Sequence, residues 1–258
     1  MIELRKLSCG YGKKPVLSDV NLVINKGELT CVLGKNGSGK TTLFKTILGL
    51  LPSLGGEILY DGKILTSYSG KGVAHLISYV PQAHGTPFPF TVLDVVLMGQ
   101  YIHTSGIFGK PQKQNIEKAI KCLEVLGIEH LKYKNISKIS GGEKQMVFIA
   151  RAIAQEPSFI IMDEPTANLD MGNSIKVMKV AQLLKQKGYG VIMNTHMPDQ
   201  ALQFADKVIM IKDGKISDIG DPQHVLKSNT LTDLYNTPIE IIEGYTSKGK
   251  ARKLLVTL

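Results

Sequence analysis

The stretch that most constrains this chain is Gly34–Thr42, which reads GKNGSGKTT. It matches the pattern of a glycine, any four residues, a glycine, a lysine and a serine or threonine. The apolar segment Leu29–Leu33 before it is typical of a buried strand, and Leu43–Leu48 after it has apolar residues at helical spacing. A strand, a glycine-rich turn and a helix in this order predict a phosphate-binding loop. These flanks disfavour the alternative, a glycine-rich turn that binds nothing.

The residue types of the loop suit that chemistry. Three glycines let the backbone turn tightly and approach a ligand without a Cβ in the way: Gly34, Gly37 and Gly39. The amides from about residue 36 to residue 42 are expected to point inward, at the positive end of the following helix. Lys40 supplies a cation for the β- and γ-phosphates, and the Thr41 hydroxyl can ligate Mg²⁺. The loop therefore predicts that the chain binds a nucleoside triphosphate.

The composition is compatible with more classes of protein than the phosphate loop is. The chain has 258 residues, of which 43% are hydrophobic, enough for the core of one large α/β unit with insertions. Its formal net charge of +9 is compatible with nucleic acid, an acidic membrane surface or an acidic protein partner. Because the lysines are scattered and no long basic run alternates with aromatic residues, the charge alone does not indicate nucleic-acid binding.

The cysteines and the apolar segments indicate in which cellular compartment the chain works and whether it spans a membrane. The cysteines lie far apart and in no metal-ligand spacing, which is typical of a reducing compartment without disulfides or a zinc site; they are Cys9, Cys31 and Cys122. Residues 1–6 contain no apolar signal segment. No uninterrupted apolar run approaches the roughly 18–20 residues that a spanning helix needs. We therefore expect a chain that is soluble by itself and can sit on a membrane partner.

A second set of candidate residues follows two apolar strands. Phe159–Met162 is a continuous apolar run, as expected for a buried parallel strand, and it ends in Asp163 and Glu164. Two acids at the mouth of a buried strand are costly unless they bind something. Asp163 suits a Mg²⁺ contact, and Glu164 could polarise a water for attack on a γ-phosphate. His196 ends the next apolar strand, Val191–Thr195, where a γ-phosphate contact is expected. The phosphate loop upstream disfavours the alternatives of a solvated strand end and a structural histidine.

Two helix N-termini carry the spacing of a capping box. Thr91 and Asp94 are expected to open a short helix, and Ser140 and Glu143 a longer one with an apolar stripe behind it. Ser140 and Gly142 then lie beside free amides, which makes an anion site possible in principle. An ordinary capped helix explains this second pattern when it is taken alone.

The remaining segments predict the organisation around the loop. Residues 2–23 predict short strands broken by turns. Further antiparallel strands are predicted by two hairpin signals, Asp61-Gly62 and Asp213-Gly214. A shift in composition near residue 83 indicates a helical insertion that runs to about residue 140 and holds a helix ending at Gly127. After about Asp221 the chain is predicted to hold a short helix and a polar tail.

Taken in order, the motifs resemble the ATP-binding subunit of an ABC transporter over nearly the whole chain. They are Gly34–Thr41, Gln82 after a strand, Ser140–Glu143, Asp163–Thr166, Ala167–Asp170 and His196. Many nucleotide hydrolases share the phosphate loop, whereas the serine-glycine-glycine signature before the acid pair is specific to the ABC class. The resemblance implies one α/β domain: a P-loop NTPase core with a parallel sheet, an antiparallel β subdomain and an inserted helical subdomain. The implied bounds are about 1–82 and 145–225 for the core, 83–144 for the helical subdomain and 226–258 for a C-terminal tail.

The resemblance also implies ATP and Mg²⁺ as cofactors. Tyr11, which alone is more typical of a packed surface tyrosine, would stack on adenine, and Thr42 would bind an α-phosphate oxygen. The loop residues implied to bind ATP are Gly34, Asn36, Gly37, Ser38, Gly39, Lys40, Thr41 and Thr42. Those implied to hold Mg²⁺ are Thr41, Gln82 and Asp163. The implied catalytic residues are Glu164 as general base, His196 as sensor of the γ-phosphate, and Gln82 as contact to the attacking water and link to the transporter.

Four further residues are implied to act across a subunit interface. Ser140 and Gly142 would reach the γ-phosphate of an ATP held by the opposite subunit, and Gly141 and Asp170 would lie at the same interface. The site would then be complete only in a head-to-tail dimer of two copies with two ATP molecules sandwiched between them.

The transported class is implied by a weaker resemblance. Phe90–Gly99, followed by His103 and Phe108–Pro111, resembles subunits that drive import of metal chelates, namely iron–siderophore, haem or cobalamin, with molybdate or tungstate relatives. The implied partners are a second copy, two integral membrane permease subunits and, indirectly, an extracytoplasmic substrate-binding protein, but no nucleic acid. The implied location is peripheral, on the cytoplasmic face of a bacterial or archaeal cell membrane.

Two alternatives of other classes remain. One is a soluble ABC ATPase of iron–sulfur cluster assembly, which the importer-like segment Phe90–Gly99 disfavours without deciding. The other is an ABC ATPase that handles nucleic acid in repair or translation. The chain has neither the long heptad run of the repair type nor the two cassettes of the translation type.

Overall fold

The computed structural model describes residues 1–82, 89–103, 112–245, 247, 249 and 251–257. The strands are β1 (Ile2–Tyr11), β2 (Lys14–Ile24), β3 (Leu29–Leu33), β4 (Gly55–Tyr60), β5 (Lys63–Ile64), β6 (Ile77–Val80), β7 (Phe159–Met162), β8 (Gly190–Asn194), β9 (Lys207–Lys212), β10 (Lys215–Gly220), β11 (Ile239–Tyr245) and β12 (Ala251–Thr257). The α-helices are α1 (Lys40–Ile47), α2 (Gly70–Leu76), α3 (Val92–Leu97), α4 (Lys113–Val125), α5 (Gly141–Ala154), α6 (Met171–Gln186), α7 (Pro198–Phe204), α8 (Pro222–Val225) and α9 (Ser228–Tyr235). Short 3₁₀ helices span Leu65–Ser67, Met98–His103, Glu129–Leu131 and Ile136–Lys138.

The central sheet carries the strands that lead into the candidate site. Its order is β10-β9-β3-β8-β7-β6, and all neighbouring pairs are parallel except β10 with β9. The strands β3, β7 and β8 are buried along their whole length, which is why their sequences are nearly continuous apolar runs. Because these strands run in the same direction, the residues that follow them meet at one edge of the sheet.

The core lies on both faces of this sheet. Successive side chains of a strand point to opposite faces, so Cys31 and Leu33 join one buried cluster and Val32 joins the other. The first cluster is completed by residues of α3, α4, α5 and α6. The second is completed by α1 and by the inner faces of β1 and β2. The sheet is therefore held between a helical layer and a layer that contains a second sheet.

That second sheet is antiparallel, with the order β2-β1-β4-β5. The prediction of short strands broken by turns over residues 2–23 is wrong, because β1 and β2 are two long strands that turn at Gly12–Lys13. Their pairing shifts register several times, and Lys6 and Asp19 adopt φ angles of 46° and 53°. Such bulges let a strand continue through a sequence whose alternation is interrupted. The hairpins predicted at residues 61–62 and 213–214 are confirmed by β4–β5 and β9–β10.

The predicted helices of the insertion are also present. Thr91 caps α3 in a capping box with Asp94, and α4 ends just before Gly127, whose φ is 71°. The helices α3, α4 and α5 pack against one another within the first core cluster. Most of the predicted loop at residues 83–90, and the segment Phe108–Pro111, lie outside the described residues.

The C-terminal region differs from its prediction. The helices α8 and α9 and the antiparallel pair β11–β12 occupy the segment expected to hold a short helix and a polar tail. Ile241 and Leu255 lie opposite each other and pack on the first core cluster, whereas Ile242 and Leu254 form the next pair and are more than two-fifths exposed. Because apolar residues lie on both faces of this small sheet, the segment lacks the alternation that reveals a half-buried strand.

The helices α2 and α7, which have seven residues each, are also not predicted from the sequence. Helices this short contain too few turns to display a periodic apolar pattern. In the described part of the chain, no helix combines the length and the apolar character needed to cross a lipid bilayer.

Candidate active site

The phosphate loop joins β3 to α1, as predicted. At two of its positions, a residue with a Cβ would clash with neighbouring atoms. Gly39 caps α1 with a φ of 102°, and a Cβ there would lie 2.9 Å from side-chain carbons of Leu17 and Val16. A Cβ on Gly34 would lie 2.6 Å from Ser38 Oγ and 2.8 Å from the carbonyl oxygen of Ile211. All these distances are below the normal range for a Cβ contact, so the loop requires glycine at these positions.

Lys40 is folded back over the loop. Its side chain is 5% exposed, and its Nζ donates to the carbonyl oxygens of Gly34 at 2.7 Å and Lys35 at 2.9 Å. Burial lowers the pKa of Lys40, and the nearby carboxylates of Glu164 and Asp163 offset part of that shift. The Lys40 ammonium is largely removed from water, and its two nearby carboxylates act only at longer range. Binding of an anion would therefore stabilise its charge.

The rest of the loop suits phosphate oxygens. Ser38 Oγ is buried and, among the described residues, has no hydrogen-bond partner. Thr42 is buried in the first turn of α1, and Asn36 is exposed beside Gly37. A cavity of about 250 Å³ lies next to the loop, lined by residues 35–38 and by the turn at 211–214. An unsatisfied hydroxyl, a desolvated ammonium and the N-terminus of a helix together fit the phosphates of a nucleotide.

Asp163, at the end of β7, is the centre of a hydrogen-bond cluster. Its side chain is 7% exposed. Oδ1 accepts from Thr41 Oγ1 at 3.2 Å and from Asn194 Nδ2 at 2.5 Å, and Oδ2 accepts from the Tyr79 hydroxyl at 3.0 Å. A hydroxyl and a carboxylate side by side are the hard oxygen donors that Mg²⁺ prefers, so Thr41 and Asp163 fit this ion. Burial of the Tyr79 hydroxyl raises the pKa of Tyr79, and the Asp163 carboxylate raises it further, because ionised tyrosine would place a second negative charge there.

Glu164, the next residue, contacts the other two predicted catalytic groups. Its Oε1 lies 2.5 Å from His196 Nε2, and its Oε2 accepts from Gln82 Nε2 at 3.4 Å. The Glu164 side chain is 23% exposed, so water reaches it. The structure thus brings together Glu164, His196 and Gln82, and a partly solvated carboxylate in this position can accept a proton from a water molecule.

The signature residues lie elsewhere on the surface. Ser140 caps α5 in a capping box: Ser140 N donates to Glu143 Oε2 at 2.7 Å, and Ser140 Oγ accepts from Glu143 N at 3.3 Å. The Ser140 hydroxyl also donates to Glu143 Oε2 at 2.7 Å, and this hydrogen bond, together with that from the Ser140 backbone amide, lowers the pKa of Glu143. Ser140 and Gly141 are exposed, whereas a Cβ on Gly142 would lie 2.5 Å from Asn173 Cγ. No hydrogen bond within the described residues joins this segment to the phosphate loop.

Asp170 lies beside the signature. It caps α6, since Oδ1 accepts from Asn173 N at 2.8 Å and Oδ2 from Asn173 Nδ2 at 2.6 Å. The same Asn173 side chain packs on Gly142, so the two segments predicted to act across an interface form one exposed surface. Tyr11 ends β1 with 54% of its side chain exposed, which stacking on a base requires.

The comparison with known sequences decides the family. Residues 17–167, more than half of the chain, match the family described as ABC transporter. This chain belongs to the ABC transporter family. It is an ATP-binding cassette of that family, and therefore an ATPase. The predicted resemblance and the predicted enzyme class are confirmed.

Relatives of the cassette match it over most of its length. An uncharacterised ABC transporter ATP-binding protein of Haemophilus influenzae is 38% identical, over 98% of this chain and 96% of the relative. The ferric enterobactin transport ATP-binding protein of Escherichia coli is 32% identical, over 92% of this chain and 88% of the relative. A molybdate import ATP-binding protein of Haemophilus influenzae is 33% identical, over 87% and 83%.

Solved structures confirm the predicted fold class. An ABC transporter described as metal-chelate type, in an inward-facing conformation, superposes with a TM-score of 0.88 at 30% identity, covering 100% of the cassette and 97% of that chain. A dimeric bacterial ABC transporter cassette superposes with a TM-score of 0.74 at 28% identity, covering 86% and 99%. The P-loop core, the antiparallel sheet and the helical insertion are thus arranged as in known cassettes.

Two residues of the cluster were not singled out by the sequence analysis. Tyr79 and Asn194 both donate to Asp163, one to each carboxylate oxygen. Asn194 is the polar last residue of an otherwise apolar buried strand, and that position beside the acid pair was the signal available. Tyr79 lies in β6, three residues before Gln82, where a tyrosine is an ordinary strand residue and gives no such signal.

Proposed function

We propose that this cassette binds Mg²⁺-ATP between two copies of itself and hydrolyses it to drive import through a membrane permease. The observation that carries the proposal is that Glu164 joins His196 and Gln82 beside the loop that holds Lys40. A phosphate-binding loop, an oxygen-donor pair for Mg²⁺ and a carboxylate open to water are the parts that ATP hydrolysis requires.

The nucleotide is held first. Lys40 donates to the β- and γ-phosphate oxygens, and the amides of residues 36–42 donate along the loop. Thr42 binds an α-phosphate oxygen, and Tyr11 stacks on the adenine. Mg²⁺ supplies neutralisation of phosphate charge when it is bound, and Thr41, Asp163 and Gln82 are the groups that fit it. The 3.2 Å contact between Thr41 and Asp163 supports this assignment.

Hydrolysis follows from the acid beside this site. Glu164 accepts a proton from a water molecule as the water oxygen bonds to the γ-phosphorus. The bond from the γ-phosphorus to the bridging oxygen breaks, which leaves ADP and inorganic phosphate. His196 donates to a γ-phosphate oxygen, where negative charge must be stabilised. Gln82 orients the water and, lying between the core and the helical insertion, reports the state of the site to the permease.

The second copy completes the site. Ser140, Gly141 and Gly142 present the N-terminus of α5, and Asp170 lies beside them through Asn173. Three observations support a head-to-tail pair: the separation of these residues from the phosphate loop of the same chain, the exposure of Ser140, Gly141 and Asp170, and the dimeric cassette among the similar structures. In such a pair each signature faces the phosphate loop of the other copy, and ATP binding favours the closed state.

The cargo class is proposed from the relatives and from Phe90–Gly99. Relatives named for ferric enterobactin and molybdate, with a metal-chelate type structure, support a metal chelate (iron–siderophore, haem or cobalamin) or a molybdate or tungstate oxyanion. The cassette then works at the cytoplasmic face of the membrane with two permease subunits and, indirectly, an extracytoplasmic binding protein. The relatives and structures described above are transport proteins, and none of them favours iron–sulfur cluster assembly.

The transport proposal is tested by co-purification with the permease and a substrate screen. The complex in lipid vesicles, with its binding protein, is offered ferric siderophores, haem, cobalamin, molybdate and tungstate while phosphate release is measured. We expect one chemical class to stimulate hydrolysis and to accumulate in an ATP-dependent way. Hydrolysis that none of these compounds stimulates, with no permease bound, would contradict the transport assignment while leaving the ATPase activity intact.

A further inference from the structure

The geometry points to Asn194 as a positioning residue of the active site. We propose that its side-chain amide fixes two groups at once: the carboxylate of Asp163 and the backbone that aims Glu164. The inference rests on the function proposed above, because it assigns a further residue to the same site. It does not make Asn194 a catalytic residue, since Asn194 acts only through the two acids.

The position of Asn194 is set by the sheet. It is the last residue of β8, its side chain is 0% exposed, and β8 lies between β3 and β7. On one side Asn194 pairs with Val32, two residues before the phosphate loop begins. On the other side Met193 pairs with Met162, so Asn194 stands one step further on, beside Asp163. A fully buried amide at this place must have its donor and acceptor satisfied, or it destabilises the fold.

Both ends of the Asn194 amide are used. Nδ2 donates to Asp163 Oδ1 at 2.5 Å, and Oδ1 accepts a hydrogen bond from the backbone amide of Glu164. The orientation is fixed by chemistry, because the reversed amide would set its oxygen against a carboxylate and its NH₂ against an N–H group. An apolar side chain of equal size could make neither hydrogen bond.

The contact with the Glu164 amide has a further consequence. Glu164 has a φ of 48°, a left-handed conformation that is unfavourable for a residue with a Cβ. The hydrogen bond to Asn194 holds this conformation, and from it the Glu164 carboxylate reaches His196 and Gln82. Removing Asn194 therefore releases the orientation of the base as well as that of Asp163.

Tyr79 provides the comparison that separates these two effects. Its hydroxyl donates to Asp163 Oδ2 at 3.0 Å, so it holds the same carboxylate from the other side. It has no hydrogen bond to Glu164 among the described residues. Tyr79→Phe should therefore loosen Asp163 alone, whereas Asn194→Leu should loosen both acids.

The test compares four variants of the full chain with the wild type. Asn194→Leu removes both hydrogen bonds at similar volume, and Asn194→Asp keeps the acceptor for Glu164 but sets an oxygen against Asp163. Tyr79→Phe is the comparison, and Ser78→Ala is the control, since Ser78 is 1% exposed in β6 and its hydroxyl has no partner among the described residues. Steady-state hydrolysis is measured against ATP and Mg²⁺, and ATP binding is measured by the shift in Tm in EDTA and in Mg²⁺.

We expect Asn194→Leu to lower kcat roughly 10- to 100-fold and to raise the half-saturating Mg²⁺ concentration about tenfold, as loss of groups behind a metal ligand does. Its Tm shift by ATP in EDTA should match the wild type, while the additional shift in Mg²⁺ should be lost. Tyr79→Phe should change the Mg²⁺ dependence with a smaller loss of kcat. Asn194→Asp should lose kcat at least about tenfold, since like charges push Asp163 away, and it carries the test if Asn194→Leu does not fold.

Wild-type kcat and wild-type Mg²⁺ dependence in either folded Asn194 variant would overturn the inference. So would a loss of kcat that Ser78→Ala shares, because that would reflect general disturbance of the buried sheet. A wild-type chain that binds ATP but does not hydrolyse it would instead overturn the proposed function. Failure of the inference about Asn194 is therefore distinguishable from failure of the proposed function.

Discussion

The Nε2 atom of His196 lies 2.5 Å from Oε1 of Glu164, although the two residues are 32 positions apart in the chain. They meet because Glu164 follows β7, His196 follows β8, and these parallel neighbours end at the same edge of the sheet. Both side chains are about a third exposed or less. The contact places the proposed base beside the proposed γ-phosphate donor, and because the two have different proposed roles, hydrolysis should depend on each of them.

Glu164→Gln should remove the base and leave the shape of the site. Glutamine keeps contacts to His196 and Gln82 but cannot take a proton from water at neutral pH. We expect kcat to fall by roughly 10² to 10⁴ while ATP binding persists. Phosphate release measures the first effect and equilibrium binding the second. Glu117→Gln, on the exposed face of α4, is the matched control, and rapid turnover by Glu164→Gln would refute the role of Glu164.

His196→Ala should separate catalysis from binding in another way. The substitution removes the donor to the γ-phosphate and the group that Glu164 now contacts. Loss of one donor to a transition-state charge typically costs about 10²- to 10³-fold in kcat. We expect that loss with the KM for ATP changed by only a few-fold. His224→Ala, with a side chain 87% exposed and far along the chain, should behave as the wild type. An unchanged kcat would contradict the proposed role of His196.

Lys40→Met should abolish nucleotide binding and leave the chain folded. Methionine retains the apolar stem and removes an ammonium group whose pKa burial lowers. The carbonyls of Gly34 and Lys35 lose a donor, which should cost about 1–2 kcal/mol. Thermal unfolding with and without ATP measures both effects. Lys45→Met, in the last turn of the same helix, is the control. An ATP-induced rise in Tm equal to that of the wild type would contradict the role of Lys40.

The sequence predicts the local geometry of the candidate site wherever the contacts involved are close together in the chain. Steric contacts require glycine at Gly34 and Gly39, and a pair of acids follows a buried strand. Both patterns are recognisable within a few residues of sequence. The capping boxes at Thr91 and Ser140 are equally local, and both are present in the structure. The type and the spacing of neighbouring residues are therefore enough to predict the glycine positions, the acids after a strand and the capping boxes.

What the sequence does not reveal depends on contacts between distant segments. The meeting of Tyr79 and Asn194 on Asp163 requires the strand order of the central sheet, which no local pattern encodes. The long strands β1 and β2 were interpreted as short ones because bulges interrupt their alternation. The strands β11 and β12 went unrecognised because apolar residues lie on both of their faces.

In the proposed function, one chain holds only half of each hydrolytic site. Ser140→Arg tests it, because an arginine on the exposed cap of α5 would block the approach of a second copy. Loss of the cap should cost about 1 kcal/mol of stability, and Thr91→Arg, at the matching capping box of α3, controls for that loss. Nucleotide binding by the single chain should be unaffected by either substitution.

The most direct measurement is the molar mass of Glu164→Gln in solution with and without ATP. We expect a single chain without ATP and a stable dimer with two bound ATP molecules. Addition of Ser140→Arg to Glu164→Gln should prevent the dimer while each chain still binds ATP, and addition of Thr91→Arg should not. An ATP-bound Glu164→Gln chain that stays single at all concentrations, or a dimer that forms despite Ser140→Arg, would contradict the shared site.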